Sequence, residues 1–264
     1  MPVNLILLLC AVIMIACIAG NKLSGRLGIP TLLLFIALGM LFGSDGIFRI
    51  QFEDYAFSEK VCSAALIIIM FYGGFGTKWS TAKPVAVQSV LLSTLGVLIT
   101  AGLTGLFCHF VLGVSLLEGM LIGSVLGSTD AASVFSILRS QRLNLKYGTA
   151  PMLEIESGSN DPCAYMLTVT ILSAMGSSVS AGSIAWSVFA QLLFGIGGGI
   201  LAAYAAGWVL RSTNLSSDGF ESIFLVAVAL ASYALPALLG GNGYLSAYIA
   251  GILLGNQEIP GKKS

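Results

Sequence analysis

The chain has 264 residues, 56% of them hydrophobic and 9% charged, with twelve basic side chains balancing twelve acidic ones. Its mean hydropathy is +0.94, and a soluble domain carries about a quarter of its residues charged, so a water-soluble fold is excluded. The zero net charge leaves no bulk field to attract nucleic acid or an acidic substrate.

A helix that crosses roughly 30 Å of hydrocarbon needs about 20 mostly apolar residues. Nine candidate runs lie between polar or Gly/Pro breaks: Val3 to Ala19, Pro30 to Phe42, Val61 to Phe75, Val85 to Val114, Leu117 to Leu138, Thr149 to Met175, Ile184 to Leu210, Phe220 to Leu239 and Tyr244 to Gly255. The first has no basic segment before it and many runs after it, so it reads as a retained span rather than a cleaved signal. Connections after odd-numbered runs hold Lys22, Arg26, Lys78, Lys83, Arg139, Arg142, Lys146, Arg211, Lys262 and Lys263, against Arg49 and Lys60 after even-numbered ones. Because Lys and Arg near span ends stay in the cytoplasm, the expectation is an N-terminus outside. Ser44 to Glu59 then forms a long, acidic external connection.

The second and ninth runs share a pattern, Phe35-Ile36-Ala37 with Gly39 and Gly43 against Tyr248-Ile249-Ala250 with Gly251 and Gly255. An odd number of runs separates them, so the two copies cross the bilayer in opposite directions, as inverted transporter repeats do. This predicts one incomplete transmembrane domain over 1–264. In it, 1–176 is a first repeat, 184–210 a linking helix and 220–264 the start of a second repeat, short by about four spans.

The fifth run carries Ser128-Thr129-Asp130 at its middle, after Gly123 and Gly127. The sixth carries Glu154-Ile155-Glu156-Ser157-Gly158-Ser159-Asn160-Asp161-Pro162. Acids inside spans are costly and are functional candidates by default, so Asp130 and Asp161 must face a protein interior or a wet cavity. Pro162 lacks an N–H and leaves the Gly158 carbonyl without its helical donor. The small polar stretch at Gly127 to Thr129 weakens the fifth helix at its centre, so carbonyls and half-helix dipoles converge there. Carboxylate, carbonyl and hydroxyl oxygens suit a hard cation rather than zinc or copper. Four-residue spacing puts Glu156 with Asn160 on one helix face and Ser157 with Asp161 on another. Glu156 reads as a bracing acid. Glu118, Arg139 and Arg142 sit at span ends, His109 reads as a packing residue, and Cys10, Cys17, Cys62, Cys108 and Cys163 read as small core residues without metal-binding spacing. Gly39/Gly43 and Gly195/Gly199 match the GxxxG pattern, a weak signal in a chain with 32 glycines.

The Thr129-Asp130 step followed by Glu156-x-x-x-Asn160-Asp161 resembles the paired motifs of NhaP-type monovalent cation/proton antiporters. The string from Glu156 to Pro162 is most similar to the potassium/proton exchangers of the cell-volume-regulation type. The stretch from Asn242 to Gly251 is also similar to the family. The resemblance implies an all-α polytopic fold of the NhaA-like inverted-repeat kind with broken helices, of which this chain is the N-terminal part. It also implies a homodimer in the bacterial inner membrane, no cofactor, and K⁺ or Na⁺ exchanged for H⁺. Carried across by position, Asp161 is the carboxylate that binds cation or proton, with Asn160 beside it. Thr129 and Asp130 belong to the helix break, and Ser157 supplies a nearby hydroxyl. Glu156 is the structural acid, whose Arg partner the family places on a later helix. Ala131 stands where many relatives have Pro, which puts the sharpness of the break in question.

Both lines lead to one mechanism: a single carboxylate takes either H⁺ or a monovalent cation while exposed to each side in turn. With Asn160 rather than a second acid beside it, the exchange is expected to be electroneutral. A cation channel and a non-transporting membrane fragment are the rival readings. An intramembrane aspartyl protease would need the GxGD motif, which the sequence lacks.

Overall fold

The computed structural model describes residues 3–27, 29, 31–130, 145–176, 180–212 and 220–257. The second half of the fifth run with Ala131, Arg139 and Arg142, and the terminal Lys262 and Lys263, lie outside the described residues. Among the described residues each of the nine runs is represented by a helix. They are α1 (Val3–Leu27), α2 (Thr31–Phe42), α3 (Tyr55–Gly76), α4 (Trp79–Leu112), α5 (Leu116–Leu126), α6 (Thr149–Gly176), α7 (Ala181–Ser212), α8 (Phe220–Leu238) and α9 (Gly243–Gly255).

Five of these hold segments long and apolar enough to cross a membrane: Leu7–Gly25, Tyr55–Gly76, Trp79–Leu112, Ala181–Ser212 and Phe220–Leu238. α2, α5 and α9 are shorter apolar helices. α6 has the length, at 28 residues, but carries the Glu154–Asp161 run that lowers its hydropathy.

Two helices start more than a turn earlier than expected. α3 begins at Tyr55, where the Asp54 carboxylate accepts the Phe57 N–H at 2.9 Å, so Glu59 and Lys60 lie on the helix rather than in the connection before it. α4 begins at Trp79 because Pro84 sits in a short 3₁₀ turn, Lys83–Val85, and does not stop the helix. α4 ends at Gly113, whose φ of 72° suits a residue without Cβ. A capping box then opens α5: Glu118 N–H donates to Ser115 Oγ at 3.3 Å and Ser115 N–H to Glu118 Oε2 at 2.9 Å. Glu118 is thus a helix cap. His109 is exposed, with Nδ1 2.8 Å from the Val114 carbonyl, so it braces this turn rather than packing in a core. Of the five cysteines, Cys108 alone is buried, and Cys10 and Cys62 are exposed, which corrects their reading as core residues.

The chain divides into two compact units, Met1–Ser58 with Asp130–Asn144, and Glu59–Thr129 with Leu145–Ser264. In the first, α1 packs on α2, and Ser24 Oγ donates to the Ile29 carbonyl at 2.5 Å across the turn between them.

In the second unit the apolar core is built from α3, α7, α8 and α9, through Phe71, Ala203, Ala206, Ala229, Ala247, Tyr248, Ala250 and Leu254. Glycines set the helix spacing. A Cβ on Gly251 would strike the Phe71 carbonyl, one on Gly255 the Phe75 carbonyl and one on Gly74 the Tyr248 carbonyl, so α3 and α9 touch backbone to backbone. Gly195 and Gly199 face the Asn242 and Ser246 carbonyls of α9 in the same way, whereas Gly39 faces nothing within 4 Å. Of Gly39/Gly43 and Gly195/Gly199, the second pair is therefore a helix contact. Outward faces stay apolar, as with Leu201, Tyr204 and Trp208 on α7. Buried positions include Ser89, Ser93, Ser124, Asn160 and Asn242. An apolar outer surface, with polar side chains kept to buried positions, is the arrangement that lipid selects.

Candidate functional site

α5 stops at Leu126, and Ser128, Thr129 and Asp130 are non-helical. The stop follows the local sequence, since Gly127 disfavours a helix interior and Ser and Thr hydroxyls compete for backbone groups. Beside the break runs α6. Ser128 Oγ donates to Asp161 Oδ1. Ser157 Oγ donates to the Thr129 carbonyl at 2.8 Å, and Asn160 Nδ2 donates to Thr129 Oγ1 at 2.5 Å. Side chains from three positions on α6 thus hold two consecutive residues of the broken stretch.

Asn160 Nδ2 also donates to Glu156 Oε1 at 3.1 Å, so the four-residue spacing that pairs them in the sequence is realised. Asn160 is fully buried and its Oδ1 has no hydrogen-bond donor. Both amide protons point at oxygen acceptors, which fixes the amide orientation and leaves a bare carbonyl oxygen on the residue directly before Asp161. Asp161 itself is half-buried. Asp130 follows Thr129 directly in the chain, as the first residue past the division into units. The expected residues therefore come together as follows: Asp161, Asn160, Ser157 and Glu156 share α6, and Thr129 joins them through two hydrogen bonds.

Pro162 sits inside an unbroken α6 and is fully buried, and its carbonyl accepts Asn242 Nδ2 at 2.9 Å. Asn242 also caps α9 by accepting the Leu245 N–H at 3.0 Å, and its own N–H donates to the Gln191 carbonyl of α7 at 3.0 Å. One residue thus ties α6, α7 and α9 together next to the site. Tyr244 adds an edge contact to Tyr165 of α6, their ring centroids 4.8 Å apart.

Sequence reasoning passed over Ser128 as the direct partner of Asp161, and named Asn242 and Tyr248 only as members of shared patterns, with no role of their own. An Asn directly before a helix is a cap signal and would have found Asn242. The other two depend on which helices meet. Among the described residues no group of three or more His, Cys, Asp and Glu could hold a metal ion.

Apolar helices outside, a polar cluster within and a helix that stops at that cluster define a polytopic membrane protein of the transporter type. Residues 13–263 match the family model described as sodium/hydrogen exchanger, transmembrane, and the chain belongs to that family of transporters. It is 38% identical to the K(+)/H(+) antiporter NhaP2 of Shewanella sp. (strain MR-4), over 99% of this chain and 46% of that protein. It is 37% identical to the K(+)/H(+) antiporter NhaP of Alkalimonas amylolytica, over 98% of this chain and 45% of that protein. The chain thus spans about half the length of the curated relatives it matches. The fold is shared with the sodium proton antiporter MjNhaP1 from Methanocaldococcus jannaschii, with a TM-score of 0.75 and 24% identity over 95% of this chain and 64% of that one. The expected NhaP-type membership and all-helical antiporter fold are thereby established.

Proposed function

We propose that the protein is a secondary antiporter that exchanges K⁺ or Na⁺ for H⁺ by alternating access, with Asp161 as the carboxylate that both ions share. The observation that carries this reading is the set of hydrogen bonds that ties Asp161, Ser157 and Asn160 of α6 to Ser128 and Thr129 just past the end of α5, with Asn160 Oδ1 left bare. Oxygen donors with a single negative charge suit a monovalent hard cation, and protonation of the same carboxylate releases it. The buried Asn160 adds no charge, so cation and proton leave the site equally neutral and exchange is electroneutral. Asp130 balances the dipoles of the break, and Glu156 braces Asn160. The relatives named as K(+)/H(+) antiporters favour potassium. The protein works in the bacterial inner membrane with its N-terminus outside, as a homodimer, so its protein mass in detergent is expected to be twice that of one chain.

The test is cation-dependent proton movement in proteoliposomes of the intact protein, measured as half-saturating K⁺ and Na⁺ at several pH values. Protons and cations contend for one carboxylate, so the half-saturating concentration rises as pH falls while the maximal rate holds. Asp161→Asn keeps the volume, removes the switchable charge and abolishes exchange. Normal exchange by that variant, or a half-saturating concentration independent of pH, overturns the assignment.

A further inference from the structure

Tyr248 lies in α9 at 4% exposure, and its hydroxyl is buried with no hydrogen-bond partner. A buried donor left unpaired is destabilising and calls for an explanation. The end of the ring rests on α6 at Gly158: a Cβ there would stand 2.5 Å from both Cζ and the hydroxyl oxygen. Only a residue without a side chain provides this seat.

Gly158 is four residues after Glu154 and three before Asp161, so the three positions share one face of α6 at about 5–6 Å between successive Cβ positions. The phenol therefore stands between the two acids along that face. The hydroxyls of Ser159 and Thr77 lie near it without an aligned bond. Thr77 Oγ1 already donates its proton to the Gly73 carbonyl at 3.0 Å, so its oxygen can only accept. Thr77 directly precedes Lys78, in the connection that charge distribution assigns to the cytoplasmic side.

We propose that Tyr248 is a positioning residue for exchange, whose hydroxyl stands in for part of a cation's hydration shell as the ion passes between the Glu154 end of α6 and Asp161. The inference rests on Asp161 being the shared site. A group on the path lowers the barrier to entry and to exit alike, so it changes the rate and leaves equilibrium binding at Asp161 untouched.

The deciding variant is Tyr248→Phe in the intact protein, which keeps the ring on its glycine seat and removes one oxygen. Maximal K⁺- or Na⁺-driven proton exchange falls about fivefold, the worth of one hydrogen bond in a transition state. Binding of K⁺ and Na⁺, measured by calorimetry in detergent, stays within experimental error of the parent. An unchanged rate overturns the proposal, and so does a rate loss matched by an equal loss of binding, which makes the hydroxyl a ligand rather than a step. Because the hydroxyl has no partner to lose, a lower melting temperature for Tyr248→Phe also overturns it. Asp161→Asn measured in parallel separates the two readings: normal exchange there removes the shared site itself, whereas its loss beside a normal Tyr248→Phe removes this inference alone.

Discussion

Ser128 gives Asp161 a hydrogen bond that an ionised carboxylate accepts strongly and a protonated one accepts weakly. Removing it favours the protonated form, so protons displace the cation more readily. Ser128→Ala is therefore expected to raise the half-saturating cation concentration roughly tenfold at fixed pH, close to the lower end for a bond to a charged group, with the maximal rate at saturating cation retained. Proteoliposome titrations check this, and a collapse of the maximal rate without a change in half-saturation contradicts it. At this scale the sequence was most informative where chemistry is local. Glu156 and Asn160 pair because four-residue spacing on a helix leaves them no other geometry, and Asp161 stands out because an acid inside a span is costly. Ser128 and Tyr248 were not legible. A serine in a Gly-Ser-Thr run and a tyrosine in an apolar run look ordinary until α5, α6 and α9 are brought together.

The helices themselves were legible from apolar runs, and their starts were not, because two local signals misled. The charges of Glu59 and Lys60 read as loop, and Pro84 read as a break, yet α3 and α4 run through both. Which glycines matter was equally hidden. Gly39 and Gly251 are the first glycines of the two shared patterns, but of the two Gly251 alone presses on a neighbouring backbone, at the Phe71 carbonyl of α3. Gly251→Ala must push α9 off α3, and overpacking of this kind costs about 1–3 kcal/mol. The variant is expected to melt several degrees lower in detergent. Gly39→Ala, with open space around it and better helix propensity, melts unchanged or higher. Equal melting of the two variants would show that the α3–α9 contact yields without cost.

For the whole molecule, the apolar outward faces say that it sits in lipid and leave its direction to the basic residues. Their bias predicts an accessible outer connection between α2 and α3. In intact cells, a cysteine-free background carrying Asp45→Cys is expected to react with a membrane-impermeant maleimide, and one carrying Lys78→Cys to react only after the cells are opened. Both positions are exposed, so the reverse pattern would invert the topology. Asn242 has a further consequence, for how the protein ages. Its side chain accepts from Leu245 and donates to Pro162 at once, which an aspartate cannot do, since it has only oxygens to offer. It is followed by Gly243, the one Asn-Gly step in the sequence, and such a step loses its amide readily in a slack chain, where the next backbone nitrogen can reach the side-chain carbonyl. Folding guards the amide by fixing it as a helix cap at 1% exposure. A chain that deamidates before it folds would set a carboxylate against the Pro162 carbonyl, so time spent unfolded leaves a chemical scar at the joint beside the site.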